Sequence, residues 1–338
     1  MPITIFVATK NNIVMRTKNL PVCLLTILLI LSACLPAASQ SRANEYPTDL
    51  CEWMRRLPDS LHINRLSIPG THDSGARYGG SALQTQTTDI ATQLKLGIRA
   101  FDIRLKKKGH KLGIYHSTAF QHIYWEDNVL PTFIDFLKKH PSETLIVSLK
   151  KEGGGNDEYS SLLSQSLDNM DNRKYFIDHF HANLTLKECR GKILFLHRDH
   201  AADNYPGAAC QGWQDDATCL LDLLDKDGEK ASAWLQDEYQ YASEKEAGEK
   251  IKACIHYLEK MRLLPDGSSQ WGISFASATG LPSGTPQAFA NKVNPALTDY
   301  LRKNNIGHTG ILFIDFIEQT HGQKLVSCLI NANFADRR

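Results

Sequence analysis

Two residues that exchange protons readily stand side by side in the segment LSIPGTHDSG, residues 66–75. His72 and Asp73 directly follow a short apolar run that ends on Pro69-Gly70. An imidazole titrates near neutral pH, and a neighbouring carboxylate can orient it and stabilise its protonated form. The segment therefore predicts either an ordinary polar turn or the rim of an active site, and it leaves both readings open.

Other ionisable side chains lie within the ends of further apolar runs or follow them directly. They are Asp102, Arg104, His116, Lys150, Arg198, Asp237, Tyr239 and Asp315. If the runs are parallel strands of one sheet, their C-terminal ends lie at one pole and these side chains gather there. A single histidine is more often structural than catalytic, so it is the recurrence at one pole that favours a site.

Two of these positions carry constraints of their own. Asp102 and Arg104 lie two residues apart on a strand, so their side chains share a face, and a buried ion pair at the barrel mouth is the simpler interpretation. Asp315 lies in the apolar segment 311–317, where an unpaired carboxylate would be costly. It needs a donor, and an imidazole from the first strand would serve if the sheet closes into a barrel.

Two histidines, carboxylates that can orient them and an arginine form a set suited to phosphodiester cleavage. One neutral imidazole takes a proton from an attacking hydroxyl, while the other, as imidazolium, protonates the leaving oxygen. An arginine offers a rigid fork of donors to the phosphate oxygens as charge builds on them. Phosphoryl transfer by such a set needs no metal ion.

The strand pattern indicates how these residues are positioned. Eight short runs have strand character: 65–68, 99–105, 111–115, 145–149, 192–196, 233–236, 271–276 and 311–316. Amphipathic segments of helical period lie between several of them, at 129–140, 159–167 and 244–261. This alternation predicts an α/β fold with one closed parallel barrel of the TIM (β/α)8 type. The barrel should be irregular, because the connection 106–109 is too short for a helix, and no linker divides residues 50–338.

The N-terminal segment has the pattern of an export signal. Arg16 and Lys18 precede an apolar run at 20–31 that is too short to span a bilayer comfortably. Residues 31–34, Leu-Ser-Ala-Cys, resemble a bacterial lipobox. Residues 1–34 are therefore predicted to be a signal peptide that ends at a lipidated Cys34.

Lipid on Cys34 would hold the protein on a membrane, with residues 35–49 as a flexible tether. Leu35 is not an inner-membrane retention aspartate, so an outer membrane or cell surface is favoured. The alternative is a plain signal cleaved after Ala38 or Ser39, and then the protein is secreted.

Charge and cysteine content narrow the choice of partners. Without residues 1–33 the chain has 35 basic and 37 acidic residues, a balance that gives no footprint for nucleic acid. An exported compartment permits disulfides, and Cys210 with Cys219 would close a short loop, but sequence alone assigns no pair. The cysteine spacings match no zinc motif. The six cysteines are Cys51, Cys189, Cys210, Cys219, Cys254 and Cys328.

Seven segments, in order, closely resemble the bacterial phosphatidylinositol-specific phospholipases C. They are SIPGTHDSG, GIRAFDIRL, IYHSTAF, PSETLIVSLKKE, GKILFLHR, LQDEY and GILFIDFI, between residues 65 and 317. The resemblance implies an irregular TIM barrel and attack of the inositol 2-hydroxyl on phosphorus, which yields inositol 1,2-cyclic phosphate and diacylglycerol. It implies a phosphatidylinositol-containing membrane surface as the partner, and we expect a monomer.

The resemblance also assigns the proton-transfer roles. His72 corresponds to the general base, oriented by Asp315. His116 corresponds to the general acid, assisted by Asp73.

The arginine decides the subclass within the resemblance. Arg104 would bind the phosphate and lower the pKa of the attacking hydroxyl, with Asp102 fixing its position. Calcium-dependent relatives place acidic ligands around the phosphate, whereas a guanidinium there resembles the metal-independent enzymes. No metal and no cofactor are therefore expected.

The implied inositol pocket consists of Lys150, Arg198, Asp237 and Tyr239, with the inositol ring stacked on Tyr239. Lys151 remains an alternative to Lys150, because a slip of one residue would exchange the two. Trp213 is a candidate for interfacial binding, as in secreted relatives, or for the core.

Two other functions remain to be weighed. A metal-dependent glycerophosphodiesterase-like barrel would need acidic ligands near the first histidine, where the second strand instead offers Arg104. A non-catalytic lipoprotein that binds inositol lipid would be expected to lack one of the histidines or the arginine, and both histidines and Arg104 are present.

Overall fold

The computed structural model describes residues 8–9, 12–13, 47, 49–153, 158–198 and 205–335. The chain divides into two units, Met1–Glu45 and Tyr46–Arg338, and the fold lies in the second. In the first unit, Ala8–Thr9 pairs antiparallel with Asn12–Ile13. The apolar run 20–31, Cys34 and all of the tether except residues 47 and 49 lie outside the described residues. Of the helices described, none is both long and apolar enough to cross a bilayer.

Eleven strands build the second unit, and nine of them form its barrel. The strands are β1 Ser67–Thr71, β2 Ala100–Lys108, β3 Lys111–His116, β4 Ala119–Tyr124, β5 Leu145–Lys151, β6 Ile193–His197, β7 Ala208–Gln211, β8 Thr218–Leu224, β9 Lys230–Gln236, β10 Trp271–Phe275 and β11 Gly310–Ile314. All except β3 and β4 belong to the barrel, which closes because β1 pairs with both β11 and β2. Only β8 among the nine runs antiparallel to its neighbours.

Four of the barrel strands are buried on both faces, which explains their nearly continuous apolar sequences. Every residue of β1, β6, β10 and β11 is buried. Close packing leaves no room for a side chain at Gly70 on β1, where a Cβ would lie 2.8 Å from Phe313 Cδ1 and 2.9 Å from Ala100 Cβ. A side chain at residue 70 would therefore push the first strand away from both neighbours.

The prediction of a closed, irregular α/β barrel is confirmed, but the strand count differs. The run predicted at 111–115 is not a barrel strand: β3 pairs antiparallel with β2 and then with β4, as a hairpin beside the barrel. Gly109, with φ +64°, makes the two-residue turn that reverses the chain there. Strands β4, β7 and β8 were not predicted, and β8 with β9 forms a second hairpin.

Eight α-helices accompany the strands, and short 3₁₀ and π turns complete the described elements. The helices are α1 Ile90–Lys95, α2 Leu130–Lys139, α3 Glu158–Leu167, α4 Met170–Arg173, α5 Leu186–Cys189, α6 Ala247–Arg262, α7 Pro286–Asn304 and α8 Thr320–Ala332. The 3₁₀ turns are Leu50–Arg56, Ile63–Arg65 and Glu244–Glu246, and the π turn is Trp125–Val129. No described helix lies between β1 and β2 other than the six-residue α1, nor between β7 and β9.

A buried ion pair closes the N-terminal pole of the barrel. Arg99 and Glu143 immediately precede β2 and the loop into β5, and their Nη2 and Oε2 atoms lie 2.8 Å apart with both side chains fully buried. The guanidinium also donates to the carbonyls of Leu50, Ile98 and Leu94, which satisfies its remaining hydrogens. This pole is therefore structural, and the ionisable residues predicted for chemistry lie at the other one.

The strand register does not support the Cys210–Cys219 loop. Cys210 lies opposite Leu223, and Cys219 lies opposite Leu235 on the next strand, so the two cysteines are several residues out of register. Among the described cysteines, Cys51, Cys189, Cys254 and Cys328 form no disulfide.

Candidate active site

Barrel closure brings His72 against Asp315. The register pairs Thr71 with Ile314, so the next residue of each strand, His72 and Asp315, emerges at the C-terminal pole side by side. His72 Nδ1 lies 2.8 Å from Asp315 Oδ1. The imidazole donor expected for Asp315 is thus the one supplied by the neighbouring first strand.

The backbone that carries His72 is held by side chains of the following loop. Asp73 has a φ of +40°, an unfavourable value for a residue with a Cβ. Thr85 Oγ1 donates to the Asp73 carbonyl at 3.0 Å, and Gln86 Nε2 donates to the His72 carbonyl at 3.1 Å. Such strain costs about 1–3 kcal/mol per residue, and it is found mainly where the surroundings fix a functional geometry.

The Arg104 guanidinium joins the first histidine to two carboxylates. Its Nη1 lies 2.9 Å from Asp73 Oδ2, and its Nη2 lies 3.2 Å from Asp102 Oδ2 and 2.9 Å from His72 Nε2. A guanidinium can only donate, so His72 Nε2 must accept and the ring proton must sit on Nδ1, facing Asp315. The geometry therefore fixes a neutral His72 whose basic nitrogen faces the arginine.

His116 approaches the same group from the hairpin. Its Nδ1 donates to the Leu83 carbonyl at 2.6 Å, and its Nε2 lies 3.3 Å from Asp73 Oδ2. The rings of His116 and His72 are perpendicular, with centroids 6.3 Å apart. Two imidazoles thus flank one arginine, and Asp73 contacts all three of these side chains.

Burial and charge shift the pKa values of these groups. Burial, and then the positive charge of Arg104, lowers the pKa of His116 to about 4 and holds the pKa of His72 well below its usual range. Burial alone would raise the pKa of Asp102, but Arg104 and Arg198 reverse this and lower it. Burial raises the pKa of Asp73, and repulsion from Asp102 adds to the rise although Arg104 opposes it. Although both carboxylates contact the same guanidinium, Asp73 therefore holds a proton more readily than usual and Asp102 less readily.

All of the predicted pocket residues line one cavity of about 260 Å³ with the two histidines, Arg104 and Asp315. The pocket residues are Lys150, Arg198, Asp237 and Tyr239. The two adjacent lysines lie in different places: Lys150 lines the cavity opposite Arg104 in the register, whereas Lys151 Nζ lies over the Tyr159 ring, 5.5 Å from its centroid. The cavity is the right size for a small polar ring, because pockets for drug-sized ligands start at about 300 Å³.

The same chain matches proteins of one family by sequence. Residues 70–199 match the family described as phosphatidylinositol-specific phospholipase C, X domain. The 1-phosphatidylinositol phosphodiesterase of Listeria monocytogenes is 32% identical over 287 residues, which cover 79% of this chain and 81% of the relative. The protein of the same name from Staphylococcus aureus strain Newman is 27% identical over 83% of this chain and 93% of its own length. The chain belongs to the phosphatidylinositol-specific phospholipase C family.

Solved structures agree with this assignment. The phosphatidylinositol-specific phospholipase C of Listeria monocytogenes aligns with a TM-score of 0.67 and 28% identity, over 84% of this chain and 99% of that one. A Staphylococcus aureus phosphatidylinositol-specific phospholipase C aligns with a TM-score of 0.73 and 25% identity, over 84% and 98%. This phospholipase C family member therefore matches nearly the whole length of both of those structures.

One wall of the phospholipase cavity is built around Arg198. Its guanidinium lies 3.7 Å from the centroid of the Trp213 ring, and its Nη2 lies 3.4 Å from Asp237 Oδ2. Trp213 Nε1 donates to the same Asp237 oxygen at 2.9 Å. Trp213 is half-buried and packs against the hydrophobic core, and its indole contacts both the arginine and the aspartate of the pocket.

Two further carboxylates, which the sequence pattern did not predict, line the cavity. Glu152 Oε1 accepts from the Ser117 backbone N–H at 2.9 Å, next to His116. Asp215 Oδ2 accepts from the Tyr239 hydroxyl at 3.0 Å. Glu152 lies two residues after Lys150, so strand alternation could have indicated it, whereas Asp215 lies in a loop with no comparable signal.

Within the part of the chain that the structure describes, two groups of donor atoms are close enough together to be considered as metal ligands. The first, His72, Asp73 and Asp102, already surrounds the Arg104 guanidinium, which takes the place that a cation would need. The second, His179, Asp225 and Asp227, lies at the turn between β8 and β9, at the opposite pole. There His179 Nδ1 and Asp227 Oδ2 form a close ion pair at 2.6 Å.

Proposed function

We propose that this protein is a phospholipase C that cleaves phosphatidylinositol to diacylglycerol and inositol 1,2-cyclic phosphate, with slow hydrolysis of the cyclic ester as a second step. The observation that carries the proposal is the pair of perpendicular histidines beside Arg104 in one cavity. The names and activities of the Listeria and Staphylococcus relatives support the same substrate class.

His72 is the general base for the inositol 2-hydroxyl. Its Nδ1 proton faces Asp315, so the Nε2 lone pair, which accepts from Arg104 in this structure, is the one that takes the proton of the hydroxyl. Burial raises the pKa of Asp315, which makes its carboxylate a stronger acceptor for the Nδ1 proton. The contact therefore increases the basicity of the opposite ring nitrogen.

His116 is the general acid for the diacylglycerol oxygen. An imidazolium needs an acceptor at each nitrogen, and Leu83 O and Asp73 Oδ2 are placed for both. Its low pKa without substrate follows from burial and Arg104, and the negative charge of a bound phosphate offsets the effect of Arg104. Substrate binding is thus expected to raise the pKa of His116 and favour its protonated form.

Arg104 binds the phosphate and lowers the pKa of the attacking hydroxyl. Asp73 and Asp102 fix the orientation of the guanidinium from two sides, so that its fork is already aligned before substrate arrives. Among the described residues, His72, Asp73 and Asp102 are the only group at this pole that could bind a metal ion. The Arg104 guanidinium fills the centre of that group, so the proposed reaction needs no divalent ion.

The inositol ring binds deeper in the cavity, stacked on Tyr239. Lys150, Arg198 and Asp237 bond the hydroxyls that do not react, which is supported by their shared lining of the cavity. Since such charge-assisted bonds depend on the exact positions of hydroxyls, this wall selects inositol over glycerol or choline headgroups.

The protein is exported and held on an outer membrane or cell surface through lipid on Cys34, with residues 35–49 as its tether; without lipid it is secreted. The sequence pattern of residues 1–34 is the support for this part of the proposal. It acts as a monomer on phosphatidylinositol in the membrane surface.

Phosphorus NMR of the purified protein with phosphatidylinositol tests the reaction. We expect the resonance of the five-membered cyclic phosphate to appear first, at the same rate with and without a divalent-ion chelator. Loss of activity in the chelator would favour the metal-dependent glycerophosphodiesterase alternative. Binding of phosphatidylinositol without turnover would favour the non-catalytic lipoprotein.

A further inference from the structure

Strand β2 continues beyond the barrel and carries a basic hairpin tip. Residues 106–108 pair only with β3, since the pairing of β2 with β5 ends at Leu105. The tip reads KKKGHK, residues 106–111, which is four lysines and one histidine in six residues. Because the C-terminal end of β2 is at the pole of the active site, this tip projects from the same pole as the cavity mouth.

The charges of the tip divide between two faces. Side chains alternate along a strand, so Lys106 and Lys108 share the side of Arg104, while Lys107 points to the other. Lys107 Nζ lies 2.6 Å from Glu158 Oε2. Lys111 lies opposite Lys108 in the register and so shares its side of the sheet, but it forms an ion pair with Asp127. Across the described residues, no carboxylate lies within 4.0 Å of Lys106 or Lys108, and both are exposed.

Aromatic rings cover the sheet beside these two lysines. Lys106 Nζ lies 5.6 Å from the centroid of the Tyr115 ring, and Lys108 Nζ lies 4.6 Å from that of Phe120. The Phe120 ring in turn contacts the rings of Tyr115, His122 and Tyr124, each with a centroid separation of 5.3 Å. We call this surface the aromatic–cationic face; it consists of Lys106, Lys108, Tyr115, Phe120, His122 and Tyr124.

A glycine allows the rings to lie on the sheet. A Cβ at Gly113 would lie 2.9 Å from Phe120 Cε2 and 3.0 Å from Tyr115 Cε2, so any other residue would displace both rings. The face also continues toward the cavity rim, because the exposed Tyr78 ring lies 5.0 Å from that of His122. The aromatic cover is therefore built into the hairpin and joins the loop that carries Leu83, a residue of the cavity wall.

We propose that the aromatic–cationic face docks the enzyme on an anionic lipid bilayer, next to the phosphate that Arg104 binds. The proposal rests on the proposed function, which places the substrate in a membrane surface. The chain without residues 1–33 carries slightly more acid than base, so attraction to anionic headgroups must come from a local cluster. Tyrosine and phenylalanine rings suit the boundary between headgroups and acyl chains.

The geometry fits a flat anionic surface better than it fits a single bound molecule. Arg104, Lys106 and Lys108 follow one another on one side of the strand, about 7 Å apart, so a lipid phosphate on Arg104 leaves the lysines for its neighbours in the bilayer. The simpler interpretation is that the lysines of the hairpin are only solvated surface charges that bind no partner.

The test compares two double variants that remove the same formal charge. In the full chain, Lys106→Gln with Lys108→Gln removes the two lysines of the face, and Lys107→Gln with Lys111→Gln removes two that are already paired with carboxylates. Co-sedimentation measures binding to vesicles of phosphatidylcholine alone and of phosphatidylcholine with phosphatidylglycerol. The increase in binding that phosphatidylglycerol causes is the quantity compared, so that any attachment through the N-terminal segment cancels.

Each lysine near an anionic surface strengthens binding about fivefold. We therefore expect the increase caused by phosphatidylglycerol to be roughly 30-fold smaller in the Lys106→Gln, Lys108→Gln variant than in the parent protein. In the paired control it should be reduced by less than about threefold. Both variants should hydrolyse soluble inositol 1,2-cyclic phosphate like the parent protein. Because the vesicles contain no phosphatidylinositol, the binding result stands whether or not the protein proves to be a phospholipase. Equal losses in the two variants, no loss in either, or capture of dextran sulfate by these lysines without vesicle binding would each overturn the proposal.

Discussion

At the scale of single residues, the decisive contact is the one between Arg104 and His72. An arginine that donates to Nε2 leaves only one place for the ring proton of a neutral His72. His116 has the opposite arrangement, since both of its nitrogens face oxygen acceptors. The two rings are therefore prepared for different halves of one proton-transfer reaction.

Replacing either histidine should nearly abolish turnover. His72→Ala and His116→Ala each remove one proton-transfer step, so we expect kcat on phosphatidylinositol to fall by about 10²–10⁴-fold. Initial rates from phosphorus NMR measure this. His256→Ala, at an exposed position on α6, is the matched control and should change nothing. Parent-like rates in His116→Ala would refute its role as the acid.

Arg104→Lys tests whether the fork of the guanidinium matters or only its charge. An ammonium group cannot contact Asp73, Asp102 and a phosphate in one plane, so kcat should fall by about 10²–10³-fold with the charge unchanged. Arg262→Lys, on an exposed arginine paired with Glu259, is the control. If Arg104→Lys retained most of its activity, simple charge attraction would suffice and the proposed alignment would be wrong.

Much of this residue set was predictable, because each member lies within or directly after the end of a recognisable strand. The contact of His72 with Asp315 follows from closure of the barrel, which makes the first and last strands neighbours. Trp213 and Asp215 were not predicted as pocket residues, because both lie in the loop between β7 and β8, whose course depends on tertiary packing. The geometry of a loop depends on contacts that its own sequence does not specify.

At the scale of elements, apolar pattern predicted the buried strands well and the hairpins poorly. Seven of the eight predicted runs are barrel strands, because strands buried on both faces need nearly continuous apolar residues. Strand β4 mixes polar and aromatic residues, and β7 has four small or polar residues, so neither gives that pattern. The long helices α7 and α8 also went unpredicted, although Thr285 and Pro286 form a good helix start.

The alternation of side chains along β5 makes two adjacent lysines into a test and its control. Lys150 lies in the cavity beside Arg104, and Lys151 lies over Tyr159. Lys150→Met should lower kcat/KM for phosphatidylinositol by about 10–100-fold, the effect of losing a charge-assisted hydrogen bond. Lys151→Met should change it by less than about threefold. Steady-state kinetics on the two variants separates them, and the reverse order of effects would mean that the pocket uses the other lysine.

At the scale of the whole molecule, the buried His116 should make the free energy of unfolding depend on pH. Burial and Arg104 lower the pKa of His116 to about 4 from a usual 6.5. Between these values the unfolded chain binds a proton that the folded chain does not, so the stabilising contribution is complete above pH 6.5 and is lost as the pH falls toward 4.

The size of this effect is on the order of 3 kcal/mol, at 1.36 kcal/mol for each pKa unit. Urea denaturation at pH 7 and pH 4.5 measures it as the difference between the parent and His116→Gln, which lacks the titrating group. We expect the parent to lose more stability than the variant on acidification. Equal losses would show that His116 titrates normally in the folded protein.

The barrel concentrates its chemistry at one pole, and in the proposed anchoring residues 1–49 attach the whole molecule to a membrane. The proposed lipid on Cys34 would hold the catalytic unit near its substrate, while the tether lets the cavity mouth face the bilayer. We therefore expect the full chain, expressed in a bacterial host, to incorporate labelled palmitate. The Cys34→Ala variant should carry no label and should move from the membrane fraction to the soluble exported fraction. Cys51→Ala, which changes a cysteine outside the signal segment, should keep both. A parent protein that carries no label and is cleaved after Ala38 or Ser39 would replace the anchor with simple secretion and leave membrane attachment to the folded barrel alone.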